Sequence, residues 1–261
     1  MGTVFDKDTA NIYQDWCRSS QGRAIDKSIE HMIVSLLDPS PGERVLDIGC
    51  GPGNHLLIFS KLGLNISGID ASAHMVCKTE ERFGHCCTLK TGGAESLPFD
   101  DNEFDIAVLI NSLEFFDDPL QALREAGRVA NKKVFVGVIN SLSWNGLLRR
   151  ARGIFGDPLF GRSRFYNFWQ MKSLIKQAYG PAPISWGCIK VVPSFVAELL
   201  PGQKDSGCQW HSPFGFFLGF AVTMLYRLRT DNLPIKVKSK KSGLSLIGAR
   251  TMGTLKAGKK E

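Results

Sequence analysis

The sequence predicts a doubly wound α/β domain with a mainly parallel seven-stranded sheet and helices on both faces. Short apolar segments alternate with amphipathic helical patterns after residue 43, as in a chain of β-α-β units. The segment FDIAVLIN, residues 104–111, is almost continuously apolar, as expected of a central strand buried on both faces. A loop with three glycines follows the first apolar strand pattern.

Each predicted element has a local signal. Apolar residues recur with a helical period over residues 22–37, which predicts an amphipathic helix. Ser72 is a suitable N-cap for a helix that reaches Phe83, and Pro119 opens another helix at its first turn. Further helices are predicted over residues 55–63, 141–157 and 167–180. The predicted strands cover residues 44–49, 65–70, 86–92, 104–111 and 133–139, and two closing strands lie within 184–193 and 214–226.

The distribution of charge divides the chain. From Arg227 onward there are 10 Lys and Arg against 2 Asp and Glu, so the remaining residues hold 22 basic and 23 acidic side chains. The net charge of +7 therefore belongs to a tail rich in Lys, Gly and Ser, which is predicted to be disordered. We expect an N-terminal helical lid over residues 1–40, a main domain over 41–230 with its substrate-side elements at about 141–213, and this tail over 231–261.

The loop over residues 47–54 indicates the kind of ligand. A dinucleotide site has a glycine at the position of Asn54, and no G-K-[ST] follows that would make a phosphate-binding P-loop. Asp47 stands two residues before the first glycine, where a carboxylate would repel a pyrophosphate but accept from an ammonium group. Asp70 ends the next strand about 20 residues further on, where an acid can bridge ribose hydroxyls. These features favour a ligand with an amino acid end and a nucleoside end.

Three segments carry a family resemblance: VLDIGCGPGNH at 45–55, GIDAS at 68–72 and GGAESLPFDDNEFDIAVLINSLEFFDDPLQALREAGRV at 92–129. They resemble, in order and spacing, the motifs of class I S-adenosylmethionine-dependent methyltransferases of the small-molecule, type 11 group. The resemblance covers residues 40–140. It implies a Rossmann-like fold, S-adenosyl-L-methionine as the cofactor and a small molecule as the methyl acceptor.

The resemblance also implies residue roles. The cofactor-binding residues would be Asp47, Gly49 and Gly51 at the methionine end, Asp70 at the ribose, Ala71, Ala94 and Glu95 along the adenine, and Asn111 near the sulfonium. Two departures from the family stand out. Gly93 replaces an Asp that often takes the adenine amino group, which leaves backbone groups or Glu95 for that task. Glu114 and Phe115 stand where many relatives have two histidines.

Two residues are candidates for catalysis. Methyl transfer is an in-line displacement in which the protein mainly aligns the reactants, and a base is needed only for a protonated nitrogen or a hydroxyl acceptor. Glu114 is the first candidate, with a solvent-facing or helix-capping role as the alternative. Tyr13 is the second, because its segment folds over the cofactor in relatives, with ordinary helix packing as the alternative. His55 is interpreted as structural.

The acceptor is expected to be small and apolar or aromatic. Residues after strand 5 are rich in large apolar side chains, although core packing explains most of them. They are Trp144, Leu147, Leu148, Phe155, Phe160, Phe165, Tyr166, Phe168 and Trp169. Arginines between residues 149 and 164 could receive an anionic end. A catalytically silent cofactor-binding protein, an RNA or protein methyltransferase and a thiol-assisted metalloid methyltransferase are the alternatives.

Several other properties are predicted from what the sequence does not contain. Seven cysteines form no C-x-x-C pair or His/Cys ligand spacing, so we predict reduced thiols and no metal site. The first residues do not have the pattern of a signal peptide, and no apolar run reaches the roughly 18 residues of a spanning helix. We therefore expect a cytoplasmic monomer or homodimer, with weak contact to a membrane surface left open and no specific nucleic-acid partner.

Overall fold

A mixed sheet with helices on both faces forms the centre of the computed structural model, which describes residues 5–143, 163–189, 208–209 and 212–224. The helices are α1 Lys7–Arg18, α2 Ser20–Leu37, α3 Asn54–Lys61, α4 Ala73–Phe83, α5 Pro119–Val129 and α6 Phe168–Tyr179. The strands are β1 Arg44–Ile48, β2 Asn65–Asp70, β3 Thr88–Thr91, β4 Phe104–Ile110, β5 Ala130–Ile139, β6 Ile184–Ile189, β7 Cys208–Gln209 and β8 Phe217–Thr223.

The strands follow the order β3-β2-β1-β4-β5-β8-β6-β7. Strands β1 to β5 pair in parallel, whereas β8 runs antiparallel to both β5 and β6. The predicted fold class, a doubly wound and mainly parallel sheet, is confirmed. The two-residue strand β7, antiparallel to β6, adds to the seven predicted strands.

Three predicted boundaries differ from the structure. A short 3₁₀ turn at Gly84–Cys86 delays β3 to Thr88. Strand β5 begins directly at Ala130, because α5 ends on an extended residue without an intervening turn. Residues 141–143 form a turn in which Ser143 Oγ donates to the Asn140 carbonyl at 2.7 Å, so no helix begins at 141. The rest of that predicted helix and the 231–261 tail lie outside the described residues.

Both faces of the sheet carry a packed apolar layer. Met32 of α2 and Phe59 of α3 are fully buried on one face, and Leu123 of α5 and Met171 of α6 are fully buried on the other. Strand β4 lies between the layers and sends alternate side chains into each, as its continuous apolar pattern predicts. Among the helices that the structure describes, none combines the length and apolarity needed to cross a bilayer.

The side chain of Arg128 fastens the loop between β3 and β4 to α5. Its Nη1 donates to the Phe99 carbonyl and to Asp101 Oδ1, both at 2.8 Å, and its Nη2 donates to the Leu97 carbonyl at 2.9 Å. The guanidinium also forms two hydrogen bonds at 2.8 Å to the Glu125 carboxylate. One cation therefore satisfies two loop carbonyls and joins them to a helix.

We expect Arg128→Ala to lower the free energy of unfolding by about 2–3 kcal/mol, because it leaves two carbonyls and the Glu125 carboxylate without their charged donor. Urea denaturation followed by circular dichroism measures this loss. Arg124→Ala, an exposed position on the same helix, is the control and should change stability by less than about 0.5 kcal/mol. An equal effect of the two substitutions would contradict the assigned role of Arg128.

Candidate functional site

A cavity of about 400 Å³ opens at the carboxyl ends of β1, β2 and β4. Ligands of doubly wound sheets bind at the point where the strand order reverses, and here the reversal falls between β1 and β4. The strand ends contribute Ile48, Asp70 and Ile110 to the lining. The volume lies within the usual range of small-molecule sites.

The glycine loop after β1 forms one wall of this cavity. Gly49 has a φ of +76°, and a Cβ at this position would lie 2.5 Å from Ser112 Cβ, so only glycine lets the two loops approach. Gly51 has a φ of +52°, but a Cβ there would meet nothing within 4 Å. Because Gly51 also lines the cavity, the backbone leaves open space where a ligand could lie close to it.

Asp70 ties this loop to β2 while lining the cavity. Its Oδ2 accepts from the Gly51 N–H at 2.9 Å and its Oδ1 accepts from the Ser72 N–H at 2.8 Å. Burial raises the pKa of the carboxyl and these two hydrogen bonds oppose the rise. Each carboxylate oxygen has a second lone pair, so Asp70 can accept further hydrogen bonds from a ligand hydroxyl.

Asp47 is buried, and no described residue forms an ion pair with it. Both of its carboxylate oxygens are without a hydrogen-bond partner among the described residues, and its exposed fraction is 0%. Burial, then the nearby charge of Asp70, raises the pKa of Asp47 to about 8. An unpaired buried carboxylate is costly. It is a feature expected of a site that receives a cationic group.

Two further side chains of the lining present unpaired polar atoms. His55 Nε2 and Asn111 Oδ1 are buried without a hydrogen-bond partner in the described part of the chain. Burial lowers the pKa of His55 to about 4, so the imidazole is neutral at pH 7. Sequence reasoning assigned His55 a structural role, whereas the structure places it in the cavity wall.

Aromatic side chains from the N-terminal segment form the outer wall. The Phe5 ring lies edge-on to Phe115 with centroids 5.0 Å apart, and edge-on to Tyr13 at 6.0 Å. The Phe5 carbonyl accepts from Ser72 Oγ at 2.7 Å. Burial raises the pKa of Tyr13 well above its ordinary value, so its hydroxyl stays protonated. The sequence patterns did not predict a role for Phe5. The one feature that could have indicated it is the position of an aromatic residue just before the polar helix α1.

Glu114 lies behind the cavity rather than in its lining. Its side chain is buried, with 3% exposure, so the solvent-facing alternative is wrong. Its Oε1 accepts from the Ile139 N–H at 2.8 Å, and its backbone carbonyl accepts from the Arg164 N–H at 2.8 Å. These contacts join the turn after β4 to the end of β5, which is a structural task.

Glu95 lines the cavity but has a second task. Its Oε1 accepts from the Asp117 N–H at 3.0 Å and from the Asp118 N–H at 3.4 Å, so it also holds the loop before α5. A Cβ at Gly93 would lie 3.3 Å from the other oxygen, Oε2. Oε1 therefore already accepts two hydrogen bonds, whereas Oε2 is the Glu95 oxygen that lies next to Gly93.

The structure brings most of the residues implied by the resemblance to one cavity. The lining includes Gly49, Gly51, Asp70, Ala71, Ala94, Glu95, Asn111 and Tyr13. Asp47 and Glu114 are not among the described lining residues and lie behind the wall. The described residues also contain no group of three or more His, Cys, Asp or Glu side chains that could hold a metal ion.

The described residues include only part of the apolar set predicted near the acceptor. Tyr166 is buried in the core, and Phe168 and Trp186 pack against this core. The ring centroids of Phe168 and Trp186 are 4.4 Å apart. Trp169 is 55% exposed and lies edge-on to Phe214. Trp144, Leu147, Leu148, Phe155 and Phe160 lie outside the described residues, as do Arg149, Arg150, Arg152 and Arg162.

A family model described as a methyltransferase domain matches residues 46–136, which include the glycine loop, Asp70 and the turn after β4. An uncharacterized protein of Methanocaldococcus jannaschii is 31% identical over 179 residues, which is 66% of this chain and 77% of that protein. A demethylmenaquinone methyltransferase of Corynebacterium kroppenstedtii is 39% identical over 93 residues, 36% of this chain and 39% of the enzyme.

A solved structure from Thermotoga maritima has the same fold. It is described as an S-adenosylmethionine-dependent methyltransferase, possible histamine N-methyltransferase, and aligns with a TM-score of 0.68 and 22% identity over 84% of this chain and 97% of that chain. The chain matches only part of the length of three curated relatives, namely 31%, 39% and 49% of them.

Proposed function

Because this chain belongs to the class I S-adenosylmethionine-dependent methyltransferases of the type 11 group, we propose that it methylates a small apolar or aromatic molecule. The observation that carries the proposal is the fully buried carboxyl group of Asp47 next to the glycine loop, which has no hydrogen-bond partner among the described residues. Once ionised beside a bound cationic group, a carboxyl in that position would complement a cofactor that carries no phosphate.

The residues present fit S-adenosylmethionine. Asp70 would accept from the ribose hydroxyls, while the open space at Gly51 would admit the methionine end beside the loop backbone. Ala71 and Glu95 would border the adenine, with Glu95 Oε2 or backbone groups replacing the Asp that the family often has at position 93. When bound, the cofactor would supply a methyl group on a positively charged sulfur, which is reactive without activation.

The chain would contribute alignment and exclusion of water. Phe5 and Phe115 close the outer wall, and water exclusion strengthens every charge interaction inside the cavity. Tyr13 stays protonated, so its hydroxyl would orient the acceptor through a hydrogen bond rather than deprotonate it. Glu114 is engaged with Ile139. The site is therefore better suited to an acceptor atom that is nucleophilic without removal of a proton.

The acceptor class is also supported by two names among the comparisons. The relative from C. kroppenstedtii is named for demethylmenaquinone and the T. maritima structure for possible action on histamine, and both are small molecules with a ring. The aromatic edge formed by Phe5, Tyr13 and Phe115 is compatible with such a ring. The site favours no particular molecule.

Two measurements test the proposal. Calorimetric titration should show binding of S-adenosylmethionine and S-adenosylhomocysteine, and no binding at millimolar concentration would overturn it. Cell extracts incubated with the protein and methyl-labelled cofactor are then separated into small-molecule, lipid, RNA and protein fractions. We expect label in the small-molecule fraction, and label in RNA or protein alone would contradict the acceptor class.

The alternative is a catalytically silent protein that binds the cofactor. It is favoured by Gly93, which removes an adenine contact, and by the structural engagement of Glu114. Cofactor binding without transfer of label to any fraction would select this alternative.

A further inference from the structure

A second cavity, of about 830 Å³, lies among helices α1, α2, α3 and α4. It shares Pro52, Asn54 and His55 with the first cavity, so the end of the glycine loop separates the two. None of the roles proposed above uses this second cavity, which we call the basic groove.

Positive charge dominates the basic groove. Its basic lining residues are Arg18, Arg23, Lys27, Lys61, Lys78 and Arg82, and its acidic lining residues are Asp26, Glu30 and Glu81. Six positive and three negative charges leave a balance of +3. The groove therefore differs from the part of the chain before Arg227, in which acidic and basic residues nearly cancel.

Among the described residues, none of these six cations forms an ion pair. Every ion pair found among the described residues joins other side chains, on β1, β4, α5 and β5 and in the loops next to them. Uncharged oxygens hold three of the cations instead. Arg23 Nη1 donates to the Arg18 carbonyl, and Lys78 Nζ donates to Asn11 Oδ1 at 2.7 Å and to Gln14 Oε1 at 3.0 Å. Arg82 Nη1 donates to Asn54 Oδ1 at 2.8 Å. Within the described part of the chain, these cations are therefore held in place by uncharged groups.

Two of the guanidinium groups also repel each other. Burial, then the nearby charge of Arg18, lowers the pKa of Arg82. Keeping like charges together without a counter-ion costs free energy, and an anion placed between them would relieve that cost.

We propose that the basic groove binds a small phosphate-bearing anion. Guanidinium groups match phosphate oxygens in geometry and charge, and lysine adds further positive charge. The groove is concave, and its volume is that of a small-molecule site. This shape fits a soluble ligand better than a duplex or a bilayer surface. The inference does not rest on the proposed methyl transfer.

Inorganic pyrophosphate is the probe for the first experiment. Calorimetric titration of the full chain, without S-adenosylmethionine and at low salt, should give a dissociation constant below about 1 mM. The test variant carries Arg18→Gln, Lys27→Gln and Lys61→Gln, which remove three charges whose side chains make no hydrogen bond within the described residues. The groove would then be neutral, and we expect binding at least tenfold weaker.

A matched variant with Arg124→Gln, Lys172→Gln and Lys176→Gln removes three exposed charges from α5 and α6 and should bind within twofold of the unmodified chain. The single variant Arg18→Gln, expected to weaken binding at least threefold, keeps the test valid if the triple variant does not fold. Absence of pyrophosphate binding, equal losses in the two triple variants, or binding only to vesicles containing phosphatidylserine would each overturn the proposal.

Discussion

Asp47→Asn is expected to stabilise the ligand-free chain at pH 7 while weakening cofactor binding. Burial and Asp70 raise the pKa of this carboxyl from 3.8 to about 8, so the folded chain binds one more proton than the unfolded chain between those values. Stability then falls as the pH rises through this window. At pH 7 the cost is on the order of 4 kcal/mol, and the neutral amide removes most of it.

The same substitution removes the carboxyl group that we propose ionises beside the bound cationic cofactor. Loss of a charge-assisted interaction costs about 1.5–3 kcal/mol, so the affinity for S-adenosylhomocysteine or S-adenosylmethionine should fall roughly tenfold to hundredfold. Unfolding in urea between pH 5 and 8 and calorimetric titration measure the two effects. A variant that is less stable than the unmodified chain at pH 7 would contradict the unpaired state of Asp47.

Asp105→Asn is the control with the opposite sign. Asp105 accepts from the Arg44 N–H at 2.9 Å and pairs with Lys132 at 3.3 Å. Its pKa is lowered in spite of the opposing effect of burial, because Arg44 and Lys132 hydrogen-bond to the ionised form and attract it. The stability that this carboxylate contributes is present above its unfolded pKa and is lost as the pH falls. The amide at this position should therefore destabilise the chain at pH 7 and leave cofactor affinity unchanged.

Asp70→Ala should weaken cofactor binding by about 1–3 kcal/mol, because it removes a partly buried carboxylate that we propose accepts from the ribose hydroxyls. It also removes the acceptors of the Gly51 and Ser72 N–H groups, so hydrogen exchange at both amides should accelerate. Calorimetry and exchange measured by NMR report these effects separately. If cofactor affinity were unchanged while hydrogen exchange at these amides became faster, Asp70 would have only a structural role.

Asp105→Ala is again a suitable reference, because Asp105 belongs to the same sheet but lies near the amino end of β4, away from the cavity. This variant should lose stability without losing affinity. If both alanine variants lost affinity equally, general destabilisation rather than contact with the cofactor would explain the result.

Local signals predicted much of the fold. Ser72 caps α4 by accepting from the Met75 N–H, and the N-cap rule predicts this from residue type alone. The alternation of buried side chains along β4 likewise follows from its composition. Such features depend on residues close together in the chain, which is why sequence patterns report them.

The parts that escaped prediction depend on distant partners. Phe5 is held by Ser72, 67 residues away, and Glu114 is engaged by the backbone of Ile139, 25 residues away. No periodicity encodes either contact. The resemblance implied most of the cavity lining, whereas the burial of Glu114, the unpaired state of Asp47 and the basic groove required the three-dimensional structure.

The hydrogen bond between the Phe5 carbonyl and Ser72 Oγ has a practical consequence for handling the protein. Ser72 also donates its N–H to Asp70, so two hydrogen bonds through Ser72 link Phe5 to the proposed ribose acceptor. An affinity tag placed shortly before Phe5 would therefore lie close to this wall. Removing the tag before cofactor titration would keep the outer wall of the cavity as the untagged chain forms it.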